Sequence, residues 1–376
     1  MMAAVNKGPR RNFIAALVAL LYLNLLSPVS SPQQTATAPV SPILPGPKPP
    51  DVPLPWKQLV GIYSDGKTST ILLEQDSKLL WKLAAKTPWN RTGKLEWDVQ
   101  LEPDGNLDAR PQSATVSMLL IPMRDGAGSV TQVNSGRLAL KRSDAEADPA
   151  HFFHVTPSKP VSELRTEALR DTPPREAGPF RKPDLVELTS LDPAFHLDIR
   201  YAQSNNFLST PIYTQARAFM QRPAAEALQR ALKKLQPLGY GLLIHDAYRP
   251  WYVTKIFWDA TPPADHNFVA DPQKGSKHNR GCAVDLTLYD WATGQSIEMP
   301  GLYDEMSPRS FPSFPGGTSL QRWHRDLLRK AIESEGFTVD GNEWWHFDYK
   351  DWKQYPILNV WFEDLGKPAV PAEVRP

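Results

Sequence analysis

Apolar and polar residues alternate along LEWDVQL, so that Leu95, Trp97, Val99 and Leu101 fall on one side of an extended chain, as a half-buried strand requires. LVGIYS, TSTILLEQ and ATVSMLLIPM are also short and β-rich, and turn signals such as SDGK and EPDGN separate the stretches. Short strands joined by tight turns predict antiparallel hairpins, so residues 56–156 read as a small all-β domain, a barrel or a sandwich. After about residue 180 the pattern changes. HLDIRYA still alternates, with Leu197, Ile199 and Tyr201 on one side, but RPAAEALQRALKKLQPLG repeats Ala225, Leu228, Leu232 and Leu235 at helical spacing, with Pro223 suited to a first turn. GYGLLIHDAY reads as a strand. Thr318 or Ser319 can cap a second helix that buries Trp323, Leu327, Ala331 and Ile332 and ends at Gly336. Strands mixed with a few flanking helices, without a regular βαβ repeat, predict an α+β domain with a mainly antiparallel sheet.

Other segments lack such periodicity. Ten prolines fall between Pro28 and Pro55, a density that opposes helix and predicts an extended tether over 32–55. SELRTEALRDTPPREAGPFRKP is polar and proline-containing, and predicts a linker over 157–182. The second domain then runs over 183–367, followed by a tail at 368–376. At the other end, Lys7, Arg10 and Arg11 precede an apolar run from Phe13 to Leu26, with small residues after it. Residues 1–31 therefore read as a signal peptide, and the protein as exported, periplasmic or secreted. The run is short for a membrane span, which needs ~20 apolar residues, so no span is expected after signal cleavage, with an uncleaved anchor as the alternative. RRNFI also has a twin-arginine look.

Charge and cysteine content narrow the classes further. The 42 Lys and Arg residues nearly match the 41 Asp and Glu residues, which gives no general pull toward nucleic acid. Cys282 is the only cysteine, so no disulfide forms within the chain, and its place in an apolar strand makes it core filling. HFFH, from His151 to His154, reads as a strand that puts its imidazoles on opposite faces. The NRT sequon at Asn90 matters only in a host that glycosylates it.

Chemistry concentrates in the second domain. In SKHNRGCAVD, His278 and Asp285 flank a turn at Gly281. Such a reversal can bring imidazole and carboxylate to one ion, although an ordinary turn has the same spacing. NEWWHFDY adds Glu343 and His346 among aromatic residues. There a carboxylate gains proton affinity and a neutral imidazole is a natural zinc ligand. Three ligands, His278, Asp285 and His346, with one open position are the set expected of catalytic zinc, and Glu343 remains free as a base. Arg249, in HDAYRP, could be a fixed donor for an oxyanion or a surface ion-pair partner.

DIRYAQSNNF, HDAYRP, SKHNRGCAVD, MPGLYDEM and EWWHF, in that order over Asp184 to about Leu365, resemble the zinc D-alanyl-D-alanine dipeptidases, the VanX-like group related to the zinc D,D-carboxypeptidases. The resemblance implies that family's fold and one Zn2+ per catalytic domain. It makes His278, Asp285 and His346 the zinc ligands, Glu343 the general base and Arg249 the transition-state donor. Ser276 then contacts substrate, and Asp304 helps to hold the substrate ammonium group. The expected substrate is a D-amino-acid dipeptide or a peptidoglycan-derived peptide, with D-Ala-D-Ala hydrolysis in peptidoglycan turnover as the function. A carboxypeptidase or endopeptidase acting on longer wall peptides, and a non-catalytic zinc-containing wall-binding protein, are the alternatives. The resemblance offers no counterpart for the β domain, whose partner stays open.

Overall fold

Eight strands close into an antiparallel barrel in the first half of the chain. They are β1 (Gly61–Ser64), β2 (Ser69–Gln75), β3 (Lys78–Leu83), β4 (Leu95–Leu101), β5 (Leu107–Pro111), β6 (Met118–Arg124), β7 (Val130–Ser135) and β8 (Leu138–Arg142), each paired with the next, while β8 returns to β1. The computed structural model describes residues 42–83, 95–102, 104–111, 117–136, 138–144 and 154–366. The signal segment, most of the tether, Asn90, His151 and the tail lie outside these. Closure removes the exposed edges that an open sheet would present. Leu72, Leu79, Trp81, Val99, Leu107, Leu120, Val133 and Leu140 fill the interior, with Trp97 and Leu101 packed against them. Helix α1 (Leu54–Leu59) leads into β1 and contributes Leu59 to the same core, with Trp56 packed against it.

The second half is α+β. Its main sheet combines β10 (Phe195–Leu197), β12 (Tyr240–Asp246), β13 (Ala283–Asp290), β15 (His346–Tyr349) and β14 (Phe337–Val339) in that spatial order, and only β10 with β12 is parallel. A small second sheet pairs β9 (Leu185–Glu187) with β11 (Phe219–Gln221). The expected strand at HLDIRYA ends at Leu197, because Arg200–Ala202 turns into a 3-10 helix. The helices follow the sequence pattern more closely. In the helix Arg222–Leu235, Ala225, Leu228, Leu232 and Leu235 are all buried. The helix Ser319–Glu333 is capped by Thr318, which accepts from Gln321 N while the Gln321 side chain accepts from Thr318 N.

Two connecting segments depart from expectation. The tether is not free at its C-terminal end: Ile43 is buried in the core of the α+β domain, Gly46 O accepts from Trp323 Nε1 at 3.1 Å, and Lys48 Nζ donates to Tyr240 OH at 2.7 Å. An isoleucine and a backbone carbonyl among prolines suffice for docking, since an extended chain leaves both available to a neighbour. The linker over 157–182 also belongs to the folded body. It contains a ten-residue helix, Val161–Arg170, that buries Leu164 and Ala168 and packs against the helix Trp251–Ala260. Beyond it, the Glu176 carboxylate accepts from Arg280 Nη2 at 2.5 Å and from Ile357 N at 2.6 Å. Polar composition describes this segment's outer face and hides its two anchoring residues.

The turn into β13 relies on Gly281. Its φ is +66°, and a Cβ there would meet Leu185 Cδ2 at 2.5 Å. Left-handed backbone costs an L side chain roughly 1–2 kcal/mol. Gly281→Ala is therefore expected to lower stability by at least that amount in chemical denaturation, whereas an unchanged midpoint would mean that the turn accepts a side chain.

Candidate active site

Three neighbouring strands frame the site. Asp246 on β12 lies opposite Asp285 on β13, and Asp285 lies opposite His346 on β15. Directly opposed residues share a face of the sheet, so these side chains form a row. The pairing of β12 with β13 is irregular between Ile244 and Asp246. His278 joins the row from the short 3-10 turn His278–Arg280, which Gly281 folds back toward the sheet.

The row and the turn converge. His346 Nδ1 lies 2.9 Å from Asp285 Oδ1 and 3.1 Å from His278 Nε2, and His278 Nε2 lies 3.4 Å from Asp285 Oδ1. Among the described residues, this is the one group of three or more His, Cys, Asp or Glu side chains whose ligand atoms lie so close, all within 4.8 Å of one another. The remote ring nitrogens are already committed. His278 Nδ1 donates to the Ala247 carbonyl at 2.6 Å, and His346 Nε2 donates to Asp348 Oδ1 at 2.9 Å. These partners assign protons to those nitrogens, so the nitrogens that face Asp285 are the ones a metal would take, in place of a proton shared there without it. Zinc–nitrogen bonds of about 2.0–2.1 Å in a tetrahedron separate ligand atoms by about 3.3 Å. The donor set and its spacing therefore fit a divalent metal.

The electrostatics agree with that fit. Burial works against charge on Asp285, but His278 and His346 outweigh it and hold the carboxyl far below the usual range. Burial also opposes a charged His346, yet Asp285 and Asp348 push its pKa well up. The site favours positive charge at this point, and a metal ion would supply it. Lys277 Nζ in turn donates to Asp348.

Four further predicted residues line the same cavity of about 680 Å³, so all seven meet there. The Glu343 carboxylate lies 3.8 Å from His346 Nδ1 with its side chain 36 % exposed, and burial of the surrounding site raises its pKa to about 8. Arg249 donates from Nε and Nη2 to Asp246 Oδ2 at 2.9 and 2.8 Å, and its guanidinium lies over the rings of Phe257 and Tyr201. It is buried and doubly held, which removes the surface ion-pair alternative. Ser276 Oγ accepts from His278 N at 3.2 Å and so braces the turn. Asp304 accepts from Tyr201 OH at 2.9 Å, and burial together with the charge of Asp285 raises its pKa to about 7. By contrast, Cys282 is buried behind the strand with its pKa raised to about 12 by burial, which suits packing and not nucleophilic attack.

A family profile described as D-ala-D-ala dipeptidase matches residues 181–362. The D-alanyl-D-alanine dipeptidase of Escherichia coli (strain K12) is 35% identical over 186 residues, which cover 95% of that protein and 50% of this chain. The chain belongs to the D-alanyl-D-alanine dipeptidase family. The dipeptidase of Enterococcus faecium is 32% identical over 201 residues, covering 97% of it and 47% of this chain. That of Enterococcus faecalis (strain ATCC 700802 / V583) is 34% identical over 179 residues, covering 87% and 42%. The family is one of metal-dependent peptidases, and the match begins after the barrel.

Sequence reading missed the residues that hold the others in place. Asp246 fixes Arg249 and also accepts from Tyr213 OH at 2.7 Å. Its position three residues before the arginine was the available signal. Asp348 lies two residues beyond His346, on the same face of a strand. Ala247 contributes only a carbonyl, which side-chain motifs cannot reveal. Hydrogen-bond partners of metal-binding histidines are typically worth 10–100-fold in metal affinity. Asp348→Asn should therefore weaken divalent-metal binding by about 10–100-fold in chelator competition; unchanged affinity would remove Asp348 as the group that orients His346.

Proposed function

We propose that the protein is an exported zinc peptidase that hydrolyses the D-Ala-D-Ala dipeptide in peptidoglycan peptide turnover, on a C-terminal domain with the fold of its family. The observation that carries this reading is the convergence, in one cavity, of two imidazole nitrogens and Asp285 with a carboxylate and a fixed guanidinium beside them. The family relatives are named for this activity. Export rests on the basic residues and apolar run within residues 1–31. Among the described residues, no helix is long and apolar enough to cross a membrane.

His278, Asp285 and His346 would hold the zinc. When bound, zinc supplies Lewis-acid polarisation of a peptide carbonyl and makes water acidic near neutral pH. Glu343, in its carboxylate form, takes the proton from the attacking water and carries it to the leaving amine as the C–N bond breaks. A nearby divalent cation opposes the rise in its pKa and favours that form. Arg249 donates toward the oxygen on which negative charge develops. Because Asp246 and two aromatic rings already orient the guanidinium, little reorganisation accompanies the transition state. Asp304 meets the substrate ammonium group, and Ser276 faces the substrate from the turn that carries His278.

Two substitutions test the assignments. Glu343→Gln keeps the shape of the side chain but cannot accept the proton. It should retain stoichiometric zinc while kcat falls by at least about 10²-fold, measured by D-alanine release; retained turnover would exclude Glu343 as the base. Arg249→Ala should lower kcat/KM by about 10²–10³-fold. If metal content and activity both survived that change, the oxyanion role would belong elsewhere.

A further inference from the structure

The loop between β13 and the helix Ser319–Glu333 carries Asp304 into the catalytic cavity and Tyr303 against Asp285. Tyr303 OH donates to Asp285 Oδ2 at 3.3 Å, and Asp304 adopts a φ of +58°. Residues other than glycine keep such a backbone when their surroundings hold it. Part of what holds this loop comes from the barrel. Asp144, just after β8, has a fully buried carboxylate, which accepts from Ile62 N at 3.2 Å and pairs with Arg142 Nε at 3.0 Å. The same carboxylate lies 3.6 Å from Arg309 Nη1 on the loop. Arg309 Nε donates to the Pro300 carbonyl at 3.1 Å and lies 3.3 Å from Glu305 Oε2. That Glu305 oxygen accepts from Leu302 N at 2.9 Å. One chain of buried contacts thus runs from the barrel to both sides of Asp304.

A second contact grips the far end of the loop. Glu74, at the end of β2, accepts from Ser319 N at 2.6 Å, while its own N–H donates to Gly317 O at 3.2 Å. Arg322 Nη2 donates to Glu74 O at 2.8 Å. A buried carboxylate that accepts from the first turn of a helix, on a residue whose backbone bonds to the same segment, is a fixed anchor.

We propose that the barrel is a positioning module for the peptidase, in which Asp144, acting through Arg309 and Glu305, and Glu74 hold the substrate loop so that Asp304 meets the substrate ammonium group. The last step rests on the role given to Asp304 above. The barrel residues touch no reacting atom and act through the loop. Releasing the loop therefore weakens recognition of the substrate's amino end more than it slows bond cleavage at the metal.

Asp144→Asn in the full chain keeps side-chain volume and removes the charge. Its KM for D-Ala-D-Ala should rise by about tenfold or more, with kcat changed far less, because small misplacements of a positioning group carry such factors. Amides of residues 301–310 should exchange with solvent faster while barrel-strand amides stay protected. Arg309→Gln cuts the same link from the loop side. The double substitution should then add little to either single one, as for two members of one contact. Should Asp144→Asn unfold the barrel, Arg309→Gln reads the same link with the barrel intact. A normal KM and normal loop exchange in Arg309→Gln, or fully additive effects, would overturn the proposal. If the unaltered protein fails to cleave D-Ala-D-Ala, the functional reading falls while loop exchange still decides whether the barrel holds the loop.

Discussion

The site depends on one row of the sheet, in which Asp246, Asp285 and His346 stand side by side on three neighbouring strands. A slip of one residue in either pairing would turn a whole strand's side chains to the other face and separate the imidazole from the carboxylate. The register is protected by what lies behind it. Leu242, Ile244, Val284, Leu286 and Phe347 are all fully buried in the peptidase core, so a shifted strand would expose several large apolar side chains. Packing of the core and placement of the reactive groups are therefore one constraint. The energy that fixes the chemistry comes mainly from residues that take no part in it.

Burial, with the crowding of acids added to it, raises the pKa values of Asp304 and Glu343. Asp246, Asp285, Asp304, Glu343 and Asp348 surround a small volume, and the fixed cations nearest to them are Arg249 and Lys277. Burial makes charge costly for Glu343 and Asp304, and repulsion from Asp285 adds to that cost. Asp285 itself stays ionised because two imidazoles face it. Such an arrangement favours cations, first at the imidazole pair and then beside Asp304, where a substrate ammonium group would sit. The same preference disfavours an anion in the open part of the cavity unless Arg249 receives it. Arg249 would thus suit the oxygen that gains negative charge in the reaction proposed above.

The groups at which the chemistry would take place were legible in the sequence, because each sits in a short segment whose geometry is local. His278 and Asp285 flank a glycine that only a left-handed turn explains, and Glu343 and His346 lie within four residues of each other. Helix positions such as Leu228 and Leu327 were legible for the same reason, since periodicity is a local property. The strand through HLDIRYA was misread because alternation persists into a 3-10 turn, where Tyr201 is still buried but now bonds to Asp304. Asp348 went unread although it follows His346 by two residues, since an acid two residues before Lys350 describes a surface pair just as well.

What stayed hidden arises from contacts between segments distant in the chain. Ile43 among prolines reads as part of a tether, and only burial against residues far along the chain makes it a core residue. Asp144 and Glu74 follow or end barrel strands, where a charged residue ordinarily faces water. Their partners lie 165 residues away at Arg309 and 245 residues away at Ser319. No local pattern encodes such a pairing, because either carboxylate would suit the barrel equally well if the barrel stood alone. The closed barrel has no free edge with which to join the peptidase sheet, so side chains and loops make the junction. This is the reason that its composition resembles an independent module while its buried charges mark it as part of the peptidase.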